Sequence, residues 1–147
     1  YPALAAACVS THDLPPLAGW WEGADIAERE ALGLLDTPGA EAARADRRVE
    51  REALFLALRE AGIEVPDITD GPLLPALAGA IHAYVAATPS LMLLVQAEDL
   101  AGERVAVNLP GTNRERPNWR HRIPLDAEDI FETPAARAIL AGLAGRR

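Results

Sequence analysis

Two short, continuous apolar runs, at residues 3–9 and 91–95, stand out from the alternation of polar and apolar positions along the chain. Each run is bounded by polar residues or proline and is shorter than a helix needs, so both are predicted to be buried strands. Between them, apolar residues recur at helical spacing through residues 25–35 and 39–61, and again through a third segment. The order of strand, helices and strand is typical of parallel βα units.

The long helix at residues 39–61 has clear signals at both ends. Thr37 and Pro38 predict its start, because threonine caps free backbone amides and proline tolerates the first turn of a helix. Gly62 predicts its end, since glycine readily adopts the left-handed conformation that closes a helix. The buried face is predicted to be an apolar stripe with the nearby arginines mostly off it: Ala45, Val49, Ala53 and Leu56, flanked by Leu54, Leu58 and Ala61.

Other turn signals place the remaining elements. A helix is predicted from Asp70 to about Thr88, and a last helix from Thr133 to about residue 143. A short helical turn is predicted at residues 97–100, and the stretch at 108–122 is predicted to be a loop because it is dense in proline, glycine, asparagine and arginine. Two strands are too few for a parallel sheet buried on both faces, so the pattern indicates a slice of a larger α/β structure.

The hydrophobic content and the net charge of the chain argue against some classes of protein. The chain has 147 residues, half of them hydrophobic, which is enough for one domain with its own core, and residues 1–147 are treated as a single unit. The formal net charge of −8 argues against non-specific binding of nucleic acid and against attraction to an anionic membrane. An excess of arginine between Arg104 and Arg122 is interpreted as a solvated or salt-bridged segment.

The single cysteine and the first residues of the sequence indicate the cellular compartment in which the protein is expected. Cys8 has no partner for an intrachain disulfide and is predicted to be a small buried residue. No apolar stretch reaches the length of a membrane span, and the first residues lack the basic start of a signal peptide, so a cytoplasmic location is expected. Because the sequence starts at Tyr1 rather than at methionine, it is expected to begin inside a longer protein or after processing.

Polar residues that follow the first strand are the first candidates for chemistry. Thr11, His12 and Asp13 come directly after it, where α/β structures build their sites. A carboxylate beside an imidazole suits sugar hydroxyls, although a structural cap is the common role of such a pair. Trp20 and Trp21 could stack on sugar rings; the alternative is that one packs in the core and the other is partly exposed.

The loop after the second strand supplies the other candidates. Asn108 offers both a donor and an acceptor, and Gly111 allows the backbone to approach a ligand; the alternative is an ordinary turn. Trp119 lies in a segment that either positions a substrate or locks the loop, and locking is favoured. Glu98 and Asp99 are expected to cap a helix. His82 is expected to be a packed residue, His121 has no support as a ligand, and no spacing matches a metal, phosphate-loop or dinucleotide motif.

These motifs together resemble one known family. Thr11-His12-Asp13-Leu14-Pro15 followed by Gly19-Trp20-Trp21 resembles the block near the seventh barrel strand of amylomaltases, and three later segments are similar to their C-terminal block: Gln96-Ala97-Glu98-Asp99-Leu100, Asn108-Leu109-Pro110-Gly111-Thr112 and Asn118-Trp119-Arg120. Order and spacing agree as well. The resemblance covers essentially the whole chain and is weakest in the helical region from residue 36 to residue 88.

The resemblance implies a fold and an activity. Amylomaltases are retaining 4-α-glucanotransferases that pass segments of α-1,4-glucan between maltodextrins. By resemblance, the chain is an α/β structure, the C-terminal slice of a (β/α)8 TIM barrel, mostly helical with a small parallel sheet. Asp13 is implied as the third catalytic carboxylate, and the implied substrate-binding residues are His12, Trp20, Asn108, Gly111 and Trp119. No cofactor is implied, because glycosyl transfer from a glucan needs only carboxylates and positioning.

One departure from the family limits what the chain is expected to do alone. The nucleophilic Asp and the acid/base Glu of the family lie upstream of the Thr-His-Asp block, and residues 1–10 contain neither Asp nor Glu. The chain is therefore expected to be an inactive fragment whose exposed barrel surfaces become covered by rearrangement, by swapping or by self-association with another copy. Two alternatives remain open, a non-catalytic helical interaction module and a related α-glucosidase that hydrolyses its substrate.

Overall fold

The computed structural model of this chain describes residues 2–66 and 71–144. Within them the elements in chain order are β1 (Ala6–Cys8), α1 (Leu17–Glu22), α2 (Ala24–Ala31), α3 (Thr37–Glu60), α4 (Pro75–Ala86), β2 (Met92–Leu94), α5 (Ala97–Ala101), α6 (Ala127–Ile130) and α7 (Pro134–Ala144). The described chain is thus mostly helical. None of its helices is both long enough and apolar enough to cross a bilayer.

The two predicted strands pair with each other in parallel. Ala7 of β1 lies opposite Leu93 of β2, in a sheet of two strands within the described chain. The prediction that the second strand is buried is wrong, because Met92 is 54% exposed and Leu94 51% exposed. Ala7, by contrast, is buried on the face where β1 meets α4. Only one face of this small sheet is covered. Successive side chains along β2 point to opposite faces, so Met92 and Leu94, on the uncovered face, are exposed to solvent.

The long helix α3 starts and ends as its signals predict, with one shift. The N-cap is Asp36 rather than Thr37: the Asp36 carboxylate accepts a hydrogen bond from Gly39 N at 2.9 Å, which places Thr37 and Pro38 in the first turn. At the other end, Gly62 has φ of +70° and donates to the carbonyl of residue 59, while the next amide donates to that of residue 58. This pair of bonds is the glycine-terminated helix end that Gly62 predicted.

The buried face of α3 is not the predicted stripe. Val49 and Leu56 are 64% and 61% exposed, whereas Phe55 and Leu58 are buried. Two of the arginines expected to lie off the stripe are turned inward instead. Their planar guanidinium groups pack on the aromatic rings of α1, so this face is amphipathic in a way that counting apolar residues does not detect.

Arg47 shows how the inward arginines are accommodated. Its Nη1 and Nη2 donate to the two carboxylate oxygens of Asp25 at 3.0 Å and 2.9 Å, and its guanidinium carbon lies 4.8 Å from the centre of the Trp20 ring. Arg51 lies over Trp21 at 3.9 Å. Helix α3 is therefore fixed to α1 and α2 by charge-assisted hydrogen bonds and cation–π contacts as well as by apolar packing.

The helices α4 and α7 form the most tightly packed pair. Helix α4 begins at Pro75 rather than at residue 70, and Asp70, the predicted start, lies outside the described residues. Helix α7 begins where predicted, since Thr133 Oγ1 accepts from the amide of residue 136 at 2.9 Å. The two backbones touch at glycines: a Cβ on Gly79 would lie 2.5 Å from the carbonyl oxygen of Ala138, and a Cβ on Gly142 would lie 2.7 Å from that of Gly79.

This contact predicts the effect of one added methyl group. Gly79→Ala forces the backbones of α4 and α7 apart, so we expect the free energy of unfolding to fall by about 2 kcal/mol despite the better helix propensity of alanine. Urea unfolding followed by circular dichroism measures the change. The matched control is Gly71→Ala, where a Cβ meets nothing within 4 Å, and it should leave stability unchanged or slightly raised. Equal effects of both substitutions would contradict the prediction.

Candidate functional site

The carboxyl ends of β1 and β2 lie at the same edge of the sheet, and the polar candidates gather there. The chain that follows β1 forms the His-Asp loop, residues 9–16, and the chain that follows β2 and α5 forms the Asn-Trp loop, residues 106–120. Parallel strands end at the same edge, so these two loops meet although they are far apart in sequence.

Asp13 is the point at which the two loops are joined. Asn108 Nδ2 donates a hydrogen bond to Asp13 Oδ1 at 2.7 Å, and His12 Nε2 lies 3.2 Å from Asp13 Oδ2. A turn holds the carboxylate in place, because Leu14 N donates to Thr11 O at 3.0 Å. The His12 and Asp13 side chains are each 55% exposed, so the carboxylate is oriented by protein groups and still open to a ligand.

Trp119 supplies an aromatic face beside this carboxylate. Its ring centre lies 5.3 Å from that of His12, and the side chain is 62% exposed. Its backbone has φ of +63°, a conformation that costs a bulky residue about 1–3 kcal/mol, and Trp119 N donates to Val107 O at 2.9 Å. An exposed ring held in a costly conformation beside polar groups is typical of a ligand-binding position.

Asn118 locks the Asn-Trp loop from the inside. Its Oδ1 accepts from Leu109 N at 3.0 Å, and its Nδ2 donates to the carbonyl and the hydroxyl of Thr112 at 3.2 Å and 2.8 Å. These bonds agree with the interpretation that the segment around Asn118 serves to lock the loop. Gly111 forms the exposed turn between the partners, with φ of +87°, and its predicted contact with substrate stays a prediction.

Arg116 is a residue of this loop that sequence reasoning did not single out. It is 7% exposed, its Nε donates to Glu28 Oε1 at 2.7 Å, its Nη1 donates to Asn118 Oδ1 at 2.6 Å, and its Nη2 donates to Ala106 O. The Arg-rich stretch was interpreted as solvated or salt-bridged, and Arg116 is salt-bridged but buried. Nothing in its local sequence distinguishes it from the exposed Arg114 and Arg120.

Trp20 takes no part in the described contacts around Asp13. It is half-buried next to the buried Trp21, which confirms the expectation of one buried and one partly exposed ring. It lines an apolar cavity of about 460 Å³ beneath Leu14 and Pro15. The predicted role of Trp20 in substrate binding therefore stays a prediction, and its visible contact is with Arg47.

Beneath the His-Asp loop lies a buried polar network. The Asp99 carboxylate accepts from Ser10 Oγ at 2.5 Å and from Leu17 N at 2.7 Å, and His82 Nε2 lies 3.8 Å from Asp99 Oδ2. Asp99 was expected to cap a helix; it does so for α1, whose first amide belongs to Leu17, and not for its own helix α5. The sequence gives no signal for this network because its members are brought together only by the fold.

His82 is the packed histidine that its neighbours predicted. It is fully buried, and its Nδ1 lies 2.9 Å from Ala78 O. Because a carbonyl only accepts, Nδ1 carries the proton in the neutral ring. Burial lowers the pKa of His82 below 6.5, and the Ala78 carbonyl and the Asp99 charge oppose that shift only in part.

The described residues do not assemble a metal site. No three His, Cys, Asp or Glu side chains in ranges 2–66 and 71–144 lie close enough to hold an ion. His121 Nε2 lies 2.9 Å from Glu103 Oε2, a surface contact. What the site offers is one oriented carboxylate with neighbouring amide, imidazole and indole groups, which suits a neutral, hydroxyl-rich ligand.

Comparisons with known proteins agree with this chemistry. Residues 1–126 match the sequence profile of a family described as 4-alpha-glucanotransferase. The chain is 41% identical over 133 residues to the 4-alpha-glucanotransferase of Mycobacterium tuberculosis, covering 84% of this chain and 17% of that protein. It is 30% identical over 141 residues to the 4-alpha-glucanotransferase of Haemophilus influenzae, covering 93% and 20%.

A solved structure resembles the fold as well. The crystal structure of amylomaltase from Corynebacterium glutamicum superimposes on 97% of this chain with a TM-score of 0.83 and 32% sequence identity, and the match covers 22% of the amylomaltase. The chain therefore spans about a fifth of the length of the relatives it matches.

The lock in the Asn-Trp loop can be tested without a ligand. In Asn118→Ala, Leu109 N loses its acceptor, so we expect its amide to exchange with solvent at least about tenfold faster, since a lost hydrogen bond of about 1.4 kcal/mol corresponds to that factor. Hydrogen exchange followed by NMR measures it. The control is Asn113→Ala at an exposed position of the same loop. Unchanged exchange at Leu109 would show that the loop is held by other contacts.

Stability should depend on pH through His82. Burial holds the folded-state pKa of His82 below its unfolded value, so between the two pKa values only the unfolded chain binds the proton. The free energy of unfolding is therefore expected to fall as the pH drops from about 7.5 to about 5.5. The fall is about 1.4 kcal/mol for each pH unit that lies between the unfolded and the folded pKa of His82. Urea unfolding at both pH values tests this, with His82→Asn, which keeps a donor towards Ala78 O, as the comparison. An equal fall in His82→Asn would refute the assignment.

Proposed function

The chain belongs to the 4-alpha-glucanotransferase family, and we propose that it forms the Asp13 side of the active site of an enzyme that transfers α-1,4-glucan segments between maltodextrins. The observation that carries the proposal is the exposed Asp13 carboxylate, oriented by Asn108 at 2.7 Å and adjoined by His12. A site of this kind recognises sugar hydroxyls through directed hydrogen bonds rather than through charge pairing.

In this proposal Asp13 acts on the sugar whose glycosidic bond is cleaved. Retaining glycosyl transfer passes through an oxocarbenium-like transition state, in which positive charge develops on the sugar ring. A carboxylate that binds the hydroxyls of that sugar is favoured more as the charge develops, so it lowers the barrier and not only the ground state. The bond from Asn108 fixes Asp13 Oδ1, and His12 Nε2 lies 3.2 Å from Asp13 Oδ2, so the ligand is proposed to meet Oδ2 together with the exposed His12 ring.

The remaining candidates are proposed to bind the glucan around this point. Trp119 offers an exposed ring for stacking on a sugar face, and Gly111 leaves the backbone of the Asn-Trp loop open to approach. Trp20 would act from the cavity side, beneath Leu14. The polar groove of about 580 Å³ that runs along Asn108 and Trp119 has room for sugar units next to Asp13.

We place the nucleophile and the acid/base of the reaction on other segments of the catalytic barrel. Retaining chemistry needs two carboxyl groups that flank the bond, and this chain corresponds to about a fifth of its relatives. The chain is accordingly proposed as a slice of a (β/α)8 barrel that is inactive by itself. Its exposed apolar side chains near the sheet, such as Leu4, Leu91 and Met92, are proposed to pack against the rest of the barrel or, in isolation, against a second copy.

A hybrid enzyme tests the proposal. In it, this chain replaces the matching segment of the Mycobacterium tuberculosis 4-alpha-glucanotransferase, and maltotriose is followed into glucose and longer maltodextrins. We expect the hybrid to make a ladder of longer glucans and the isolated chain to make none. Asp13→Asn in the hybrid should lower kcat by at least about 100-fold, because a preorganised transition-state contact is lost. Asp46→Asn, an exposed carboxylate on α3, is the control and should keep full activity.

Each of the other outcomes has a definite meaning. A folded hybrid that produces only shorter glucans acts by hydrolysis, which favours a glucosidase. A folded hybrid without any product rejects the enzyme assignment and favours a helical interaction module. An Asp13→Asn hybrid with full activity rejects the catalytic role of Asp13. Circular dichroism of every variant separates these results from misfolding.

A further inference from the structure

One buried carboxylate joins both ends of the His-Asp loop. Asp99, on α5, accepts hydrogen bonds from Ser10 Oγ and from Leu17 N, at 2.5 Å and 2.7 Å. Ser10 precedes Asp13 in the chain and Leu17 follows it, so the exposed Asp13 lies on a span whose two ends are held by the same side chain. We propose that Asp99 is a positioning residue, which fixes the geometry of Asp13 for the transfer reaction; this rests on the function proposed above.

Burial explains why the arrangement is specific. Ser10, Asp99 and Leu17 are 4%, 5% and 6% exposed, so water does not replace a lost partner at low cost. A carboxylate in such a place needs hydrogen bonds to both oxygens. Within the described chain, the bonds to the two Asp99 oxygens come from the two ends of the loop. The charge is therefore stabilised only while the loop keeps this shape, which makes one conformation strongly preferred.

His82 does not compete for the carboxylate. Its Nδ1–H is directed to Ala78 O, and its Nε2 stays 3.8 Å from Asp99 Oδ2, beyond hydrogen-bond distance. The ring is fully buried beside Asp99. Both carboxylate oxygens remain committed to the loop.

The anchor itself lies on a firmly held element. Helix α5 starts one residue after Gln96, whose Nε2 donates to Ser10 O at 3.3 Å, and Thr133 Oγ1 donates to Leu100 O at 2.5 Å, which ties α5 to α7. The position of the His-Asp loop is thus fixed by its bonds to α5 and, through α5, to α7, and not only by the backbone of the loop itself. Positional precision of this kind matters because a displacement of about 1 Å at a reacting group costs about 100-fold in rate.

Kinetics of the hybrid enzyme test the role of Asp99. Asp99→Ala removes the side chain that joins both ends of the loop, so we expect kcat to fall about 100-fold with KM changed less than about threefold, the pattern of a lost transition-state interaction. Asp99→Asn should retain most of kcat, since its amide oxygen accepts from Leu17 N and its amide nitrogen donates to Ser10 Oγ. In an Asp13→Ala background, Asp99→Ala should cause no further loss, because it acts through Asp13.

A stability control separates positioning from a general structural role. Leu58→Ala removes a buried core side chain of α3 that forms none of the hydrogen bonds to Asp99, and it should lower the melting temperature while keeping kcat. The proposal is overturned if Asp99→Ala keeps kcat, if its loss of kcat is matched by Leu58→Ala at equal stability, or if its effect adds to that of Asp13→Ala. Should Asp99→Ala fail to fold, Ser10→Ala, which frees one end only, must lower kcat by at least about tenfold, or the proposal fails.

Amide exchange in this chain keeps the inference separate from the proposed function. If the wild-type hybrid is inactive, the glucanotransferase proposal fails and the clamp is judged by exchange alone. Leu14 N donates to Thr11 O in the turn that carries Asp13, and it has no bond to Asp99. We expect faster exchange at Leu14 as well as at Leu17 in Asp99→Ala, since release of the ends loosens the turn between them. Unchanged exchange at Leu14 overturns the clamp.

Discussion

The parallel pairing of β1 with β2 brings together two parts of the chain that are far apart in sequence, and every contact of the candidate site depends on it. Because parallel strands end at the same edge, the His-Asp loop and the Asn-Trp loop leave the sheet side by side. The bond from Asn108 to Asp13 closes that edge. The site therefore depends first on the parallel direction of the two strands, and only then on its individual side chains.

Buried charged side chains connect several helices and loops of this small structure. Arg47 and Arg116 are largely buried, and each places its guanidinium against a carboxylate and a backbone carbonyl. Asp99 is the anionic counterpart beneath the His-Asp loop. The planar fork of arginine suits these multiple contacts, and a point charge such as lysine would not reproduce them. Each of these charged residues fixes one loop or helix to another, so the two site loops are held from below while their upper surfaces stay open.

Part of the described surface is an apolar sheet face that no other described element covers. Met92 and Leu94 project from an uncovered sheet face, and the chain superimposes on 97% of its own length but on only 22% of the Corynebacterium glutamicum amylomaltase. An uncovered apolar sheet face is unfavourable in water, and covering it is the ordinary solution in α/β folds. The site is also open on one side: Asp13 is exposed, and within the described residues its side-chain contacts are with Asn108 and His12 rather than with a second carboxylate.

The sequence alone determined the local elements and the chemistry of the exposed residues. Two apolar runs predicted the strands, Gly62 and Thr133 predicted helix ends, and the motif around His12 and Asp13 pointed to the family that the comparisons establish. These features succeed because they depend on neighbouring residues. The inward face of α3, the exposure of β2 and the clamp at Asp99 were decided by tertiary structure. Which side of a helix is buried, and which donors meet a carboxylate, depend on residues brought together by folding, and a pattern along the chain does not record those encounters.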